Sequence, residues 1–100
     1  MAAFRLTPDA IEDLEAIWSF IFGDNPEAAD AVEDEIRSAC RLLAKEPLIG
    51  RVRRDLTALP VRFWTIPRYP NYIVVYKPES RPLEIVRILH GMRNLKRTFG

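Results

Sequence analysis

The stretch IVRILHGMRN, Ile85 to Asn94, is where the reading of the fold turns. Ile85, Val86, Ile88 and Leu89 form a run rich in apolar and β-branched residues, the composition of a buried strand. The run ends in His90, the chain's only histidine, then Gly91 and Arg93, and the basic tail LKRTFG follows. Histidine has an ordinary pKa near neutrality, so the segment reads either as a catalytic centre or as the end of a strand. In the strand reading His90 follows Val86 and Ile88 in alternation as a hydrogen-bonded structural residue, and a glycine turn comes next.

Upstream, KPESRP is turn chemistry, and NYIVVY, residues 71–76, is a second β-rich run opened by a turn at Pro70-Asn71. Before it, LPVRFWTIP alternates Val61, Phe63 and Thr65 against Arg62, Trp64 and Ile66, which predicts a further strand. From Gly50, GRVRRDL reads as a basic loop. The N-terminal half changes period. AFRLT is a short opening strand, and Thr7-Pro8-Asp9 is a helix start, with a capping hydroxyl, a proline at the first position and an acid in the first turn. Ile11, Leu14, Ile17, Trp18, Ile21 and Phe22 then recur at helical spacing until Gly23. A second helix begins near Pro26, with an apolar stripe of Ala29, Val32, Ile36, Ala39, Cys40 and Leu43 running to about Lys45. The order is β-α-α-β-β-β. The expectation is one α+β domain over residues 1–100, with an N-terminal helical hairpin covering one face of an antiparallel-dominated sheet.

Composition bounds the function. The chain is 48% hydrophobic and 29% charged, and charges interrupt every apolar run before the ~20 residues a membrane helix needs. No secretory leader is legible in MAAFRLTPDA, so a cytoplasmic protein without a membrane partner is expected. Cys40, the single cysteine, sits in the helical stripe as a structural thiol. The net charge of +1 conceals a split. Residues 1–50 carry four Lys and Arg against eleven Asp and Glu, a net −7, and residues 51–100 carry eleven against three, +8. The basic half can face nucleic acid or an acidic protein, or the two halves can neutralise one another.

Chemistry has few places to live. There is no phosphate-cradling glycine loop and no metal-spaced set of Cys and His, so no metal and no cofactor is assigned. Asp9, Glu12, Asp13 and Glu15 read as solvated helix-start charges. Arg51, Arg53, Arg54, Arg62, Arg68, Arg87, Arg93, Lys96 and Arg97, interleaved with Trp64, Tyr69, Tyr72 and Tyr76, could line a sheet surface suited to phosphates and stacked bases. A metal-free ribonuclease would need such cations for the developing phosphorane charge and a group like His90 to move the 2′-hydroxyl proton.

The β-α-α-β-β-β order, YIVVYKP and above all EIVRILHGMRN resemble the RelE/ParE superfamily of bacterial type II toxins, and within it the ParE branch. The likeness covers essentially the whole chain and is most specific in NYIVVY and VRILHGMRNL. RelE-type toxins cleave mRNA in the ribosomal A site, and the resemblance implies for that activity a basic set on the sheet and a near-terminal tyrosine. Here Ile73 stands where that set has an arginine and Phe99 where it has the tyrosine. Arg62 and Trp64 stand where it has a lysine pair, and Arg93 matches a further arginine. Without the phenol and one arginine the nuclease set is incomplete, and its alternative form would rest on His90, Arg62, Arg87 and Arg93.

ParE-type toxins resemble the same scaffold without that set. They imply binding of DNA gyrase and a block of replication, with no catalysis of the toxin's own. The expected target contacts are then Arg93, Asn94, Lys96, Arg97 and Phe99, with Asn94 standing where the branch often has Asp. Both branches imply a cognate antitoxin, here ParD-like, which joins the toxin in a hetero-oligomer and alone meets operator DNA. Its amphipathic tail calls for an apolar groove rimmed by arginines, and Arg53, Arg54, Arg62, Trp64, Arg68 and Tyr72 are expected to supply it. A toxin fold that has lost activity and persists as a binding protein is the third reading.

Overall fold

The computed structural model describes residues 2–99, the Met92 side chain excepted. Strand β1 (Phe4–Leu6) leads through Thr7 into helix α1 (Pro8–Phe22). The Thr7 hydroxyl accepts from Ala10 N at 3.1 Å and donates to Val86 O at 2.8 Å, so one side chain caps the helix and ties it to the sheet. Helix α2 (Pro26–Lys45) starts from Asn25, whose side chain accepts from Ala28 N. Gly23 follows α1 as expected, yet its φ of −59° is right-handed. The turn is Gly23–Asp24, with Asp24 N and Asn25 N donating to Ile21 O, and extended Asn25 leads into Pro26.

Strands β2 (Arg62–Thr65), β3 (Tyr72–Lys77) and β4 (Leu83–His90) complete a four-stranded sheet in the order β1-β4-β3-β2. β1 runs parallel to β4, pairing Phe4 with Leu83 and Leu6 with Ile85, and the other pairings are antiparallel. β1 reaches only the first half of β4. Beyond it, Thr7 N donates to Ile85 O, and the Asp13 carboxylate of α1 accepts from Ile88 N at 3.0 Å. Both cover a strand edge that β1 leaves unpaired.

The expected helical hairpin covers one face, where Val74, Tyr76, Ile85 and Ile88 pack on Ala10, Leu14, Ile36, Cys40 and Leu43. The opposite face is covered as well, since Phe63, Ile73, Val75 and Leu89 pack against Leu56, Val61 and Leu95. This is why β3 reads as a continuous apolar run rather than an alternating one. The second cover adds an element to the expected order. The glycine turn and the basic tail after it form helix α3 (Gly91–Phe99). Leu95 is 1% exposed, and one turn later Phe99 meets Phe63 edge-on at 5.5 Å. Burying a leucine contributes about 2 kcal/mol, enough to hold a short helix that would be marginal alone. Gly91, at φ +82°, makes the bend from β4 into α3, a left-handed conformation that glycine adopts without strain.

Candidate functional site

At the β2 edge, basic and aromatic residues are spent on holding the fold. Arg51 forms an antiparallel bridge to Phe63, which closes the outer side of β2. The Arg62 guanidinium donates to Gly50 O at 2.8 Å and Leu48 O at 3.1 Å. Tyr76, fully buried, donates from its hydroxyl to Pro47 O at 2.7 Å and accepts from Gly50 N at 2.9 Å, and burial pushes its pKa up. A Cβ at position 50 would strike that ring. Arg53 forms a two-point pair with Asp55, at 2.9 and 2.6 Å, which lowers the Asp55 pKa, and Lys96 adds to that field. Trp64 lies half-buried against the helix-side core, with its Nε1 lacking a hydrogen-bond partner among the described residues. Arg54 and Arg68 are exposed. The structure therefore does not gather Arg53, Arg54, Arg62, Trp64, Arg68 and Tyr72 around one groove, because Tyr72 and Trp64 pack against the helix-side core, Arg62 on β2 is held by the carbonyls of Leu48 and Gly50, and Arg53 is paired with Asp55 within its own loop.

A different set converges where β4 ends. Arg87 makes a two-point pair with Asp13 at 2.7 and 2.9 Å, and their side chains are only 27% and 14% exposed. This pair, raising the Arg87 pKa, corrects the reading of Asp13 as a solvated helix-start charge. Asp13 satisfies a guanidinium and a strand amide 74 and 75 residues away, a role no local pattern encodes. His90 is exposed, its ring 5.0 Å from that of Tyr72. The Asn94 amide donates to His90 O at 2.7 Å, a bond an ionised Asp could not make. Tyr72, Arg87, His90, Asn94 and Arg97 line a groove of about 460 Å³ between α1 and α3, with Ile17 and Phe20 on its α1 wall. Arg93 joins His90 and Arg97 at an adjoining hollow. Of the four residues in the nuclease alternative, His90 shares the groove with Arg87 and the adjoining hollow with Arg93. Arg62 is at the sheet edge beyond β3.

A second and larger groove, about 1030 Å³, runs beside β1 between the two long helices. Phe4, Leu6, Ile11, Leu14 and Trp18 give it an apolar floor, and Arg5, Arg37 and Arg41 bring cations. Trp18 is fixed there by stacking on Phe22 at 4.5 Å and donating to Asp30. Thr7 N and Ala3 O bond to β4, so by strand alternation Phe4 and Leu6 turn their own backbone groups to the free edge. Sequence reasoning missed this groove. Its available signals were Arg37 and Arg41, one turn apart on a helix whose preceding turns are acidic, and the many apolar residues of α1.

The charge split is only partly cancelled within the chain. Of the five ion pairs among the described residues, Arg5–Glu84 and Arg87–Asp13 join the two halves, and none involves Arg93, Lys96 or Arg97.

Against known proteins, the family model for the ParE toxin of the type II toxin–antitoxin system parDE matches residues 4–95. The chain belongs to the ParE toxin family. The ParE fold is seen again in a solved structure, the chromosomal ParDE toxin–antitoxin system from P. aeruginosa. It superposes with a TM-score of 0.72 at 24% identity, over 91% of this chain and 97% of that one. No curated protein gives a significant match. As a ParE-family toxin the chain is a type II toxin–antitoxin component. Among its described residues no helix is long and apolar enough to cross a membrane.

Proposed function

We propose that this ParE-family chain acts by binding DNA gyrase through α3 and stalling it on cleaved DNA, without catalysis of its own. The observation that carries the reading is the construction of α3. Leu95 and Phe99 anchor one side on the sheet, while Arg93, Asn94, Lys96 and Arg97 are exposed and make no ion pair among the described residues. Cations held on a rigid element and left unpaired are suited to meeting a charged partner. The nuclease alternative is less supported, because Arg87 is taken up by Asp13, Phe99 packs on Phe63, and Arg62 serves the backbone of the 48–50 segment.

A ParD-like antitoxin is the second partner, and the groove beside β1 suits it better than the basic half of the chain. An amphipathic helix can lay its apolar face on Ile11, Leu14 and Trp18 while an acidic residue meets Arg41, the groove arginine outside any ion pair among the described residues, and an extended segment can add to the free edge of β1. The test is a supercoiling assay with purified toxin and gyrase. Accumulation of cleaved DNA, reversed by antitoxin, is expected. Unchanged supercoiling at micromolar toxin, together with codon-positioned cuts in a translation reaction, would give the activity to the nuclease alternative instead.

A further inference from the structure

We propose that the groove between α1 and α3 is a single-stranded nucleic-acid site, in which one base stacks among Phe20, Tyr72 and His90 and its flanking phosphates lie on Arg93 and Arg97. At about 460 Å³ the groove is in the size range of small-ligand clefts and suits one unstacked nucleotide better than a docked helix. Its wall is aromatic. Phe20 is 81% exposed, a large apolar face with no partner in the fold, and Tyr72 and His90, register partners on β3 and β4, set their rings side by side at 5.0 Å on the sheet wall of the groove. A base offers such rings a stacking surface whatever its sequence. The one acid in the lining, Asp13, is matched by Arg87 and the Ile88 amide, so it does not repel a phosphate as a free carboxylate would. Arg97 lines the groove and Arg93 its adjoining hollow, neither in an ion pair among the described residues.

Two features favour a nucleic-acid strand over a peptide. The β4 edge here is already capped by Thr7 and Asp13, so the strand addition open at β1 is closed at this groove. Duplex bases, stacked on one another, cannot present their faces to Phe20, so the site selects single strands. The inference shares α3 with the gyrase reading but does not rest on it, since it concerns binding in the absence of any enzyme.

The test is fluorescence anisotropy of the purified toxin with a labelled oligothymidylate of about ten nucleotides, at roughly 50 mM salt. Saturable binding is expected. Phe20→Ala should weaken it about tenfold, and the exposure of Phe20 means the variant keeps its fold. Arg97→Ala should weaken it and lower the slope of log affinity against log salt by about 0.7. Arg54→Ala, an equal charge change in the loop after Gly50 and outside the lining of the groove and its adjoining hollow, should leave it unchanged. Absence of binding overturns the proposal, as does a duplex that binds as tightly, or an Arg54→Ala loss equal to that of Arg97→Ala. Binding of a glutamate-rich peptide that is lost in Phe20→Ala, with the oligonucleotide indifferent to the same change, would give the groove to a protein partner and overturn it too. Gyrase inhibition without oligonucleotide binding would remove this inference and leave the gyrase reading standing.

Discussion

The two grooves flank one helix and are built from opposite materials. On one side of α1, Leu14 and Trp18 face an apolar channel along a free strand edge. On the other, Asp13, Ile17 and Phe20 face an aromatic hollow closed by a cationic helix. The first can add backbone hydrogen bonds and bury apolar surface, which gives affinity and suits a partner that must hold for long periods. The second has its strand edge already capped and offers charge and flat rings, which give steering and recognition. In the proposed reading one surface serves the protein that silences the toxin and the other what it attacks, and the two grooves share a wall.

The largest expected effect breaks the first groove alone. Ile11→Glu places a carboxylate on its apolar floor, at a residue 45% exposed and so not needed for the core. Affinity for the cognate antitoxin, measured by calorimetry, should fall about 100-fold while gyrase inhibition is kept. Next comes the shared wall. Asp13→Ala leaves the Arg87 guanidinium and the Ile88 amide without their partner, at a cost of about 2 kcal/mol in urea unfolding. It should disturb binding at α3 more than antitoxin affinity, because Asp13 lines only the second groove. Smaller still is the effect of Arg93→Glu with Arg97→Glu, which should weaken gyrase inhibition about tenfold and leave antitoxin binding and stability intact.

The smallest concerns the rigidity of the helical hairpin that both grooves require. Burial pushes the Cys40 thiol up to about 12, against the opposing pull of Arg37 and Arg41. A folded pKa above the unfolded value of about 8.5 means that this contribution is complete below pH 8.5 and is lost as pH rises toward 12. Stability should therefore fall by about 1 kcal/mol by pH 9.5, and Cys40→Ala should show a shallower decline. Tyr76, also raised by burial, adds to the same fall at higher pH.

The sequence spoke most clearly where structure is local. Thr7-Pro8 and Asn25-Pro26 mark both helix starts, and the stripe from Ala29 to Leu43 is buried as its spacing implies. The strands of the basic half were legible from β-branched runs. Helix α3 was not, because nine residues with two apolar anchors, Leu95 and Phe99, carry too little periodicity, and the helix exists only by packing on Phe63 and its neighbours. The functional surfaces were harder to read for the same reason. Arginines look alike in a sequence, yet Arg62 is bound to Leu48 and Gly50, Arg87 to Asp13, and Arg97 to no acid among the described residues. Only tertiary structure decides which cation is left for a partner.

That division of labour between the grooves is tested most directly by amide hydrogen exchange on the toxin with and without its cognate antitoxin. The account predicts that antitoxin slows exchange at Phe4 and Leu6, whose amides face the free edge of β1, and along the α1 and α2 faces of the larger groove, while α3 exchanges as before. Protection confined to α3 and residues 53–72, with Phe4 and Leu6 unchanged, would contradict it.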